Sequence, residues 1–184
     1  GTAGAAGRGG AAGTGTGGGA TAGTTGTGGS AGACAPPPAP GELIGWAALP
    51  GNNVTTTTGG GTATPQVVTT LQQFTAAVMG NTPAVVYVNG VLAAGRVNIG
   101  SNKTVVGICG AELHGHISIS GSSDVIVRNN KIVGYGVGNC ALDPSFSSAV
   151  GCSSGDDAVT VQSNAHHVWF DHCDVSDGTD GNLD

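Results

Sequence analysis

"ISISGSSDVIVRNNKIVGYG", Ile117 to Gly136, is the stretch whose reading decides the fold. It alternates β-branched and polar residues, turns through Gly, Ser and Ser, and then offers two more apolar runs, "DVIV" and "KIV". "VTVQSNAHHVWFDHCDVSDG", Val159 to Gly178, follows the same order: apolar triplet, polar turn, apolar triplet, Asn or His, then another apolar strand. "SNKTVVGIC", Ser101 to Cys109, is a fainter copy upstream. Aligning Val105, Val125 and Val168 gives separations of 20 and 43 residues, which read as one coil and about two. A period near 20 built of short strands predicts a solenoid, in which no coil can bury its apolar face alone and neighbours must stack. A two-sheet sandwich would instead need hairpin turns of the Asn-Gly kind, and these are scarce after Asn89-Gly90. The expected fold is all-β, a parallel β-helix.

One segment breaks the pattern. "VVTTLQQFTAAVMGNTP" reads as a helix, with Thr69 or Thr70 as cap and Gln72 or Gln73 three residues on. Leu71, Phe74 and Val78 fall on one face, and Gly80-Asn81 stops it. A helix over Leu71–Met79 is expected to cover the N-terminal end of the solenoid, whose apolar cross-section needs a cap. Residues 1–40 are Gly, Ala and Thr followed by "APPPAP", with no large apolar side chain to offset the entropy of ordering. They read as a disordered linker before a solenoid domain over 41–184. With no initiating Met and no signal peptide, the chain reads as a trimmed piece of a longer secreted protein.

The net charge of −6, with only 9% charged residues and no basic patch, argues against nucleic acid and anionic membrane surfaces as partners. No apolar run is long enough to span a membrane. Among five cysteines none forms a CxxC pair, so a zinc knuckle is not indicated. Cys140 and Cys152 bracket a polar, Ser- and Pro-containing excursion. A disulfide closing it is expected, worth roughly 3 kcal/mol through loop entropy. Cys34, Cys109 and Cys173 cannot be paired from sequence.

The acidic residues gather at one end. Seven of eleven lie between Asp156 and Asp184, and no Lys or Arg follows Lys131. Like charges so concentrated cost free energy unless something neutralises them.

In this segment the chain resembles the pectate lyases. Trp169-Phe170-Asp171-His172 matches that family's W-x-D-H, and "DGNLD" (Asp180–Asp184) its D-G-x-x-D. "SGDDAVTV", "SNKTVVGICGAELHG", "GWA" and "TTTTGGG" resemble earlier family segments, so the likeness covers about residues 44–184, the N-terminal half of such an enzyme. The resemblance implies a right-handed parallel β-helix that cleaves de-esterified pectin (polygalacturonate) by β-elimination with calcium, as a secreted, extracellular monomer. It places the primary calcium ligands on Asp157, Asp180 and Asp184. The family's catalytic arginine and a substrate-binding lysine would fall downstream, so no catalytic residue is expected in this chain, and the fragment alone is expected to be inactive. Where some members carry an extra aspartate two positions before the first ligand, this chain has Gly155. Asp156 would point to the opposite side of the strand, which argues against a further substrate-bound calcium.

The residues themselves suit that ion. Asp180 and Asp184 flank a turn and Asp157 opens a strand one coil away, so stacking would bring them together. Calcium is hard, takes about 6–8 oxygen ligands and tolerates irregular geometry. The plain alternative is that these aspartates only cap solenoid turns. An EF-hand loop does not fit the spacing. Zinc on His114 and His116 lacks an indicated third ligand among His166, His167 and His172. Asp171 and His172 are expected to hydrogen-bond within the coil stack, and Trp169 to pack under a covering loop. A second class of function stays open: a non-catalytic, calcium-dependent polysaccharide-binding β-solenoid.

Overall fold

The computed structural model describes residues 34–37, 41–136, 138–144, 146–149, 151 and 155–184. The expected linker falls largely on residues 1–33 and 38–40, outside that set.

Eight strands all pair in parallel: β1 (Gln66–Val68), β2 (Ala84–Asn98), β3 (Lys103–Ser120), β4 (Ser123–Arg128), β5 (Lys131–Val133), β6 (Val159–Gln162), β7 (His166–Asp171) and β8 (Asp174–Ser176). This is a parallel β-helix. The long strands β2 and β3 each run round two corners, marked by register shifts between Asn89 and Val91 and between Ala93 and Gly95. Asn89-Gly90 is therefore a corner and not a hairpin turn. Three ladders result. The first stacks β1, the start of β2, the start of β3, β4 and β7. The second stacks Val91–Ala93, Glu112–His114, β5 and β8. The third stacks the end of β2, the end of β3, β6 and, through a single bridge, Leu183.

The register corrects the repeat. Lys103 lies opposite Val125, and Val105 opposite Val127, so that coil is two residues longer than the alignment assumed. Val125 lies directly opposite Val168, with no coil between them. The 43-residue gap is one rung that carries an excursion, not two rungs. The excursion leaves after β5 and returns before β6. "ISISGSSDVIVRNN" holds no antiparallel pairing: Ile117–Ser120 and β4 belong to different ladders, joined at a corner.

Inward-facing positions stack by type across rungs. Val86, Val105 and Val127 form one column in register with half-buried Phe170; Leu92, Leu113 and Ile132 form another beneath Val175. Each fully buried aliphatic side chain contributes roughly 1.5–3 kcal/mol. At one corner the column is polar. Asn130 donates to the carbonyls of Val105 and Arg128, and Cys173, one rung on, donates to those of Val127 and Asp171.

The helix α1 (Leu71–Val78) caps the column as expected, with Phe74 and Val78 fully buried. Thr70 is the cap and accepts from the Gln73 amide, while the Gln73 side chain accepts from the Thr69 amide. Leu71, expected on the same buried face, is 40% exposed, while Phe74 and Val78 on the following turns are fully buried. Gly80, at φ 65°, ends the helix.

The N-terminal segment crosses the outer face of the first ladder. Asp124 fixes it by accepting from the Thr58 amide, the Thr58 hydroxyl and the Gly59 amide. Gly60 lies so close to the second rung that an added Cβ would sit 2.1 Å from the Ala84 carbonyl oxygen. Gly60→Ala is therefore expected to lower thermal stability by the equivalent of about 1–3 kcal/mol, the ordinary cost of overpacking; a melting temperature equal to the parent's would refute the close approach. Cys34 is disulfide-bonded to Cys109, a pairing the sequence left open, and Pro36 and Pro37 line a groove with Tyr87, Val106 and Ile126. Cys140 is disulfide-bonded, but the expected partner Cys152 lies outside the described residues. Cys173 is a free thiol whose pKa is pushed up by burial.

Candidate functional site

The third ladder turns a polar face outward. Arg96 and Asn98 on β2, His116, Ser118 and Ser120 on β3, and Thr160 on β6 are its solvent-side alternates, while Val97, Ile117 and Val159 point to the core. Asp156 and Asp157 lie just before β6, at the foot of this face.

The last turn packs beside them. The Thr179 and Asp180 amides donate to the Asp156 carbonyl at 2.8 and 3.3 Å. Ala158 and Val159 donate to the Gly181 and Asn182 carbonyls, and the Asp184 amide donates to the Val159 carbonyl at 3.1 Å. Residues 180–184 thus form the rung adjacent to Asp157. A Cβ on Gly181 would lie 2.6 Å from Asp157 Oδ1, so the Asp157 carboxylate occupies the space that the missing side chain leaves. That cradle fits the expected ligand position. The three carboxylates do not close on one point, however: among the described residues, no group of three or more His, Cys, Asp or Glu side chains is gathered tightly enough to hold a metal ion. Asp180 and Asp184 are exposed.

The neighbouring Asp156 is engaged by a different partner. It pairs with Arg96, whose Nε and Nη2 also hold both oxygens of Asp143 at 3.1 and 2.8 Å. Those two carboxylates raise the Arg96 pKa further above its ordinary value. Sequence reading missed this cluster, since its members lie 47 and 60 residues apart and share no local motif.

The histidines are committed elsewhere and do not assemble a zinc site. His114 pairs with Glu112 at 2.8 Å, and His116 Nδ1 lies against the Asp157 carbonyl. His166 and His167 contact each other through Nδ1, and His167 Nε2 donates to the Leu49 carbonyl. That bond holds the segment around Trp46–Ala48 over β7, a covering loop on Trp169's strand. Asp171 accepts from Arg128 on the rung below and from His172 beside it. Burial pushes the Asp171 carboxyl up, but Arg128 and His172 outweigh it and hold the pKa below the ordinary range. Asp171 thus bonds across the coil stack as expected, whereas His172, among the described residues, bonds only its neighbour Asp171 and is otherwise exposed.

A sequence profile of the pectate lyases matches residues 5–182. This chain belongs to the pectate lyase family. Pectate lyase B of Colletotrichum gloeosporioides is 37% identical over 106 residues, 56% of this chain and 27% of that protein. Pectate lyase A of Dickeya chrysanthemi is 29% identical over 157 residues, 73% of this chain and 38% of that protein. A pectate trisaccharide-lyase of Thermotoga maritima is 33% identical over 90 residues, 48% of this chain and 22% of that protein. The chain spans between about a fifth and two fifths of the length of these pectate lyases.

Proposed function

We propose that this chain forms the calcium-holding part of a secreted pectate lyase that cleaves polygalacturonate by β-elimination. The observation that carries the reading is the Asp157 carboxylate, set over Gly181 beside the Asp180–Asp184 turn on a polar outer face. Calcium held by Asp157, Asp180 and Asp184 would supply a hard Lewis acid that draws charge from a uronate carboxylate and acidifies the C5 proton. The protein's own contribution is positional. The neighbouring rungs hold Asp157 and the 180–184 turn in register, and Asn98, Ser118 and Thr160 offer hydrogen-bonding groups to sugar hydroxyls along the ladder. The disulfides at Cys34–Cys109 and Cys140 support an oxidising, extracellular compartment.

Among the described residues every Lys and Arg side chain is already engaged, so none is a spare base for the C5 proton. Arg96 serves two carboxylates, Arg128 serves Asp171, Lys131 serves Glu112, and Lys103 is buried on backbone carbonyls. The 184-residue chain by itself is therefore expected to bind calcium and to eliminate nothing. A form carrying further coils with a base is expected to release unsaturated uronides from polygalacturonate, read as new ultraviolet absorbance and abolished by chelator. Calcium binding without elimination in that longer form would favour the second reading, a polysaccharide-binding solenoid. Elimination indifferent to chelator would refute the metal assignment.

A further inference from the structure

Arg96 sits where the outer face of the third ladder meets the excursion. Its guanidinium grips Asp143 through both carboxylate oxygens and reaches Asp156 as well. The Asp143 side chain is 2% exposed and that of Asp156 15%. Beside this group the Tyr135 hydroxyl is buried without a hydrogen-bond partner. Burial, and then the Asp143 carboxylate, push its pKa up to about 12, so it stays a neutral oxygen. Two carboxylates share this one positive charge, and the Tyr135 oxygen lies close by, 3.2 Å from where a Cβ on the neighbouring Gly95 would sit; oxygen groups of this kind suit a hard divalent cation.

We infer that Arg96 is a built-in counter-cation, filling the position between Asp143 and Asp156 that a second divalent ion would otherwise take. It thereby fixes the excursion, through Asp143 and Asp156, to the rung that carries Arg96, and keeps Asp156 out of the coordination sphere of its neighbour Asp157. The last point rests on the calcium reading above; the first does not. A planar fork is needed for this: lysine offers one compact charge and cannot hold Asp143 through two bonds while reaching Asp156.

The test is Arg96→Gln, which keeps a polar side chain and removes the charge, with calcium stoichiometry measured by titration calorimetry. The variant is made both in the parent chain and in an Asp180→Asn/Asp184→Asn background. It is expected to bind one more calcium than its own parent in each background, and adding Asp156→Asn is expected to remove that extra ion. If the three aspartates hold no calcium, the Arg96-bearing parents show it, while the difference caused by Arg96→Gln still tests the inference. A folded Arg96→Gln chain with no additional ion overturns the proposal. Should the variant fail to fold in buffer, circular dichroism decides. Recovery of the β-signal in millimolar calcium but not in sodium chloride of equal ionic strength supports it, and failure to recover in either overturns it.

Discussion

Lys103→Met is expected to cost about 3–5 kcal/mol of stability, the range found when one partner of a buried charged group is removed. Lys103 is fully buried, and its ammonium donates three bonds of 2.7 Å, to the carbonyls of Gly80, Thr82 and Ser101. These carbonyls belong to the end of α1, the loop after it and the corner before β3, so one side chain ties the cap to the second and third rungs. Methionine fills the same volume but leaves three acceptors in apolar surroundings without a donor. Urea unfolding measures the loss, and a midpoint within experimental error of the parent would refute the role. The pH dependence has a definite sign. Burial holds the Lys103 pKa below its ordinary 10.5, so the unfolded chain binds this proton more tightly than the folded one. The group's contribution to stability therefore rises with pH from the lowered folded value up to 10.5, and the methionine variant should lose that slope.

The solenoid was legible because stacking columns repeat in sequence: Val86, Val105 and Val127 are chemically alike since they occupy one environment. What misled the alignment was the corner. Corner residues adopt positive φ: Asn102 just before β3, Asp124 and His167 as the second residues of β4 and β7, and Asn129 and His172 just after those strands. Asn, Asp and His enter that region more readily than most residues. Read as corner markers, Asp124 and His167, like Asn129 and His172, keep the register of β4 and β7 across the excursion. Read only as polar turn residues, they leave the gap looking like two coils.

Contacts that join distant rungs left no comparable trace. Asp124 reaches back to Thr58 and Gly59, and Arg96 reaches forward to Asp143 and Asp156. Each is a small cluster with no repeat to average over. Nothing local distinguishes Asp143, in a polar excursion, from a solvated turn aspartate. Asp157 and the D-G-x-x-D turn were legible through the family resemblance, and the structure adds what sequence spacing could not: Gly181 lies beneath the Asp157 carboxylate.

That contact makes the strongest test of the metal reading. Asp157→Asn is expected to weaken calcium binding on the order of a hundredfold, because ligand charge sets affinity at such sites. A loss of this kind alone would also follow from a general fall in negative potential. Gly181→Ala separates the two explanations, since it changes no charge. Its Cβ would lie 2.6 Å from Asp157 Oδ1, and the side chain can relieve the clash only by turning the carboxylate aside. If Asp157 merely caps a turn, that movement costs little and calcium binding is unchanged. If Asp157 is a ligand, displacing it should weaken calcium about tenfold or more, comparable to the loss when a group that orients a ligand is removed. Because Gly181 has no positive φ that alanine must strain to adopt, the melting temperature without calcium should stay near the parent's. Titration calorimetry on the two variants decides: equal calcium affinity in Gly181→Ala and the parent, with both folded, would remove Asp157 from the coordination sphere and leave the aspartates as turn caps.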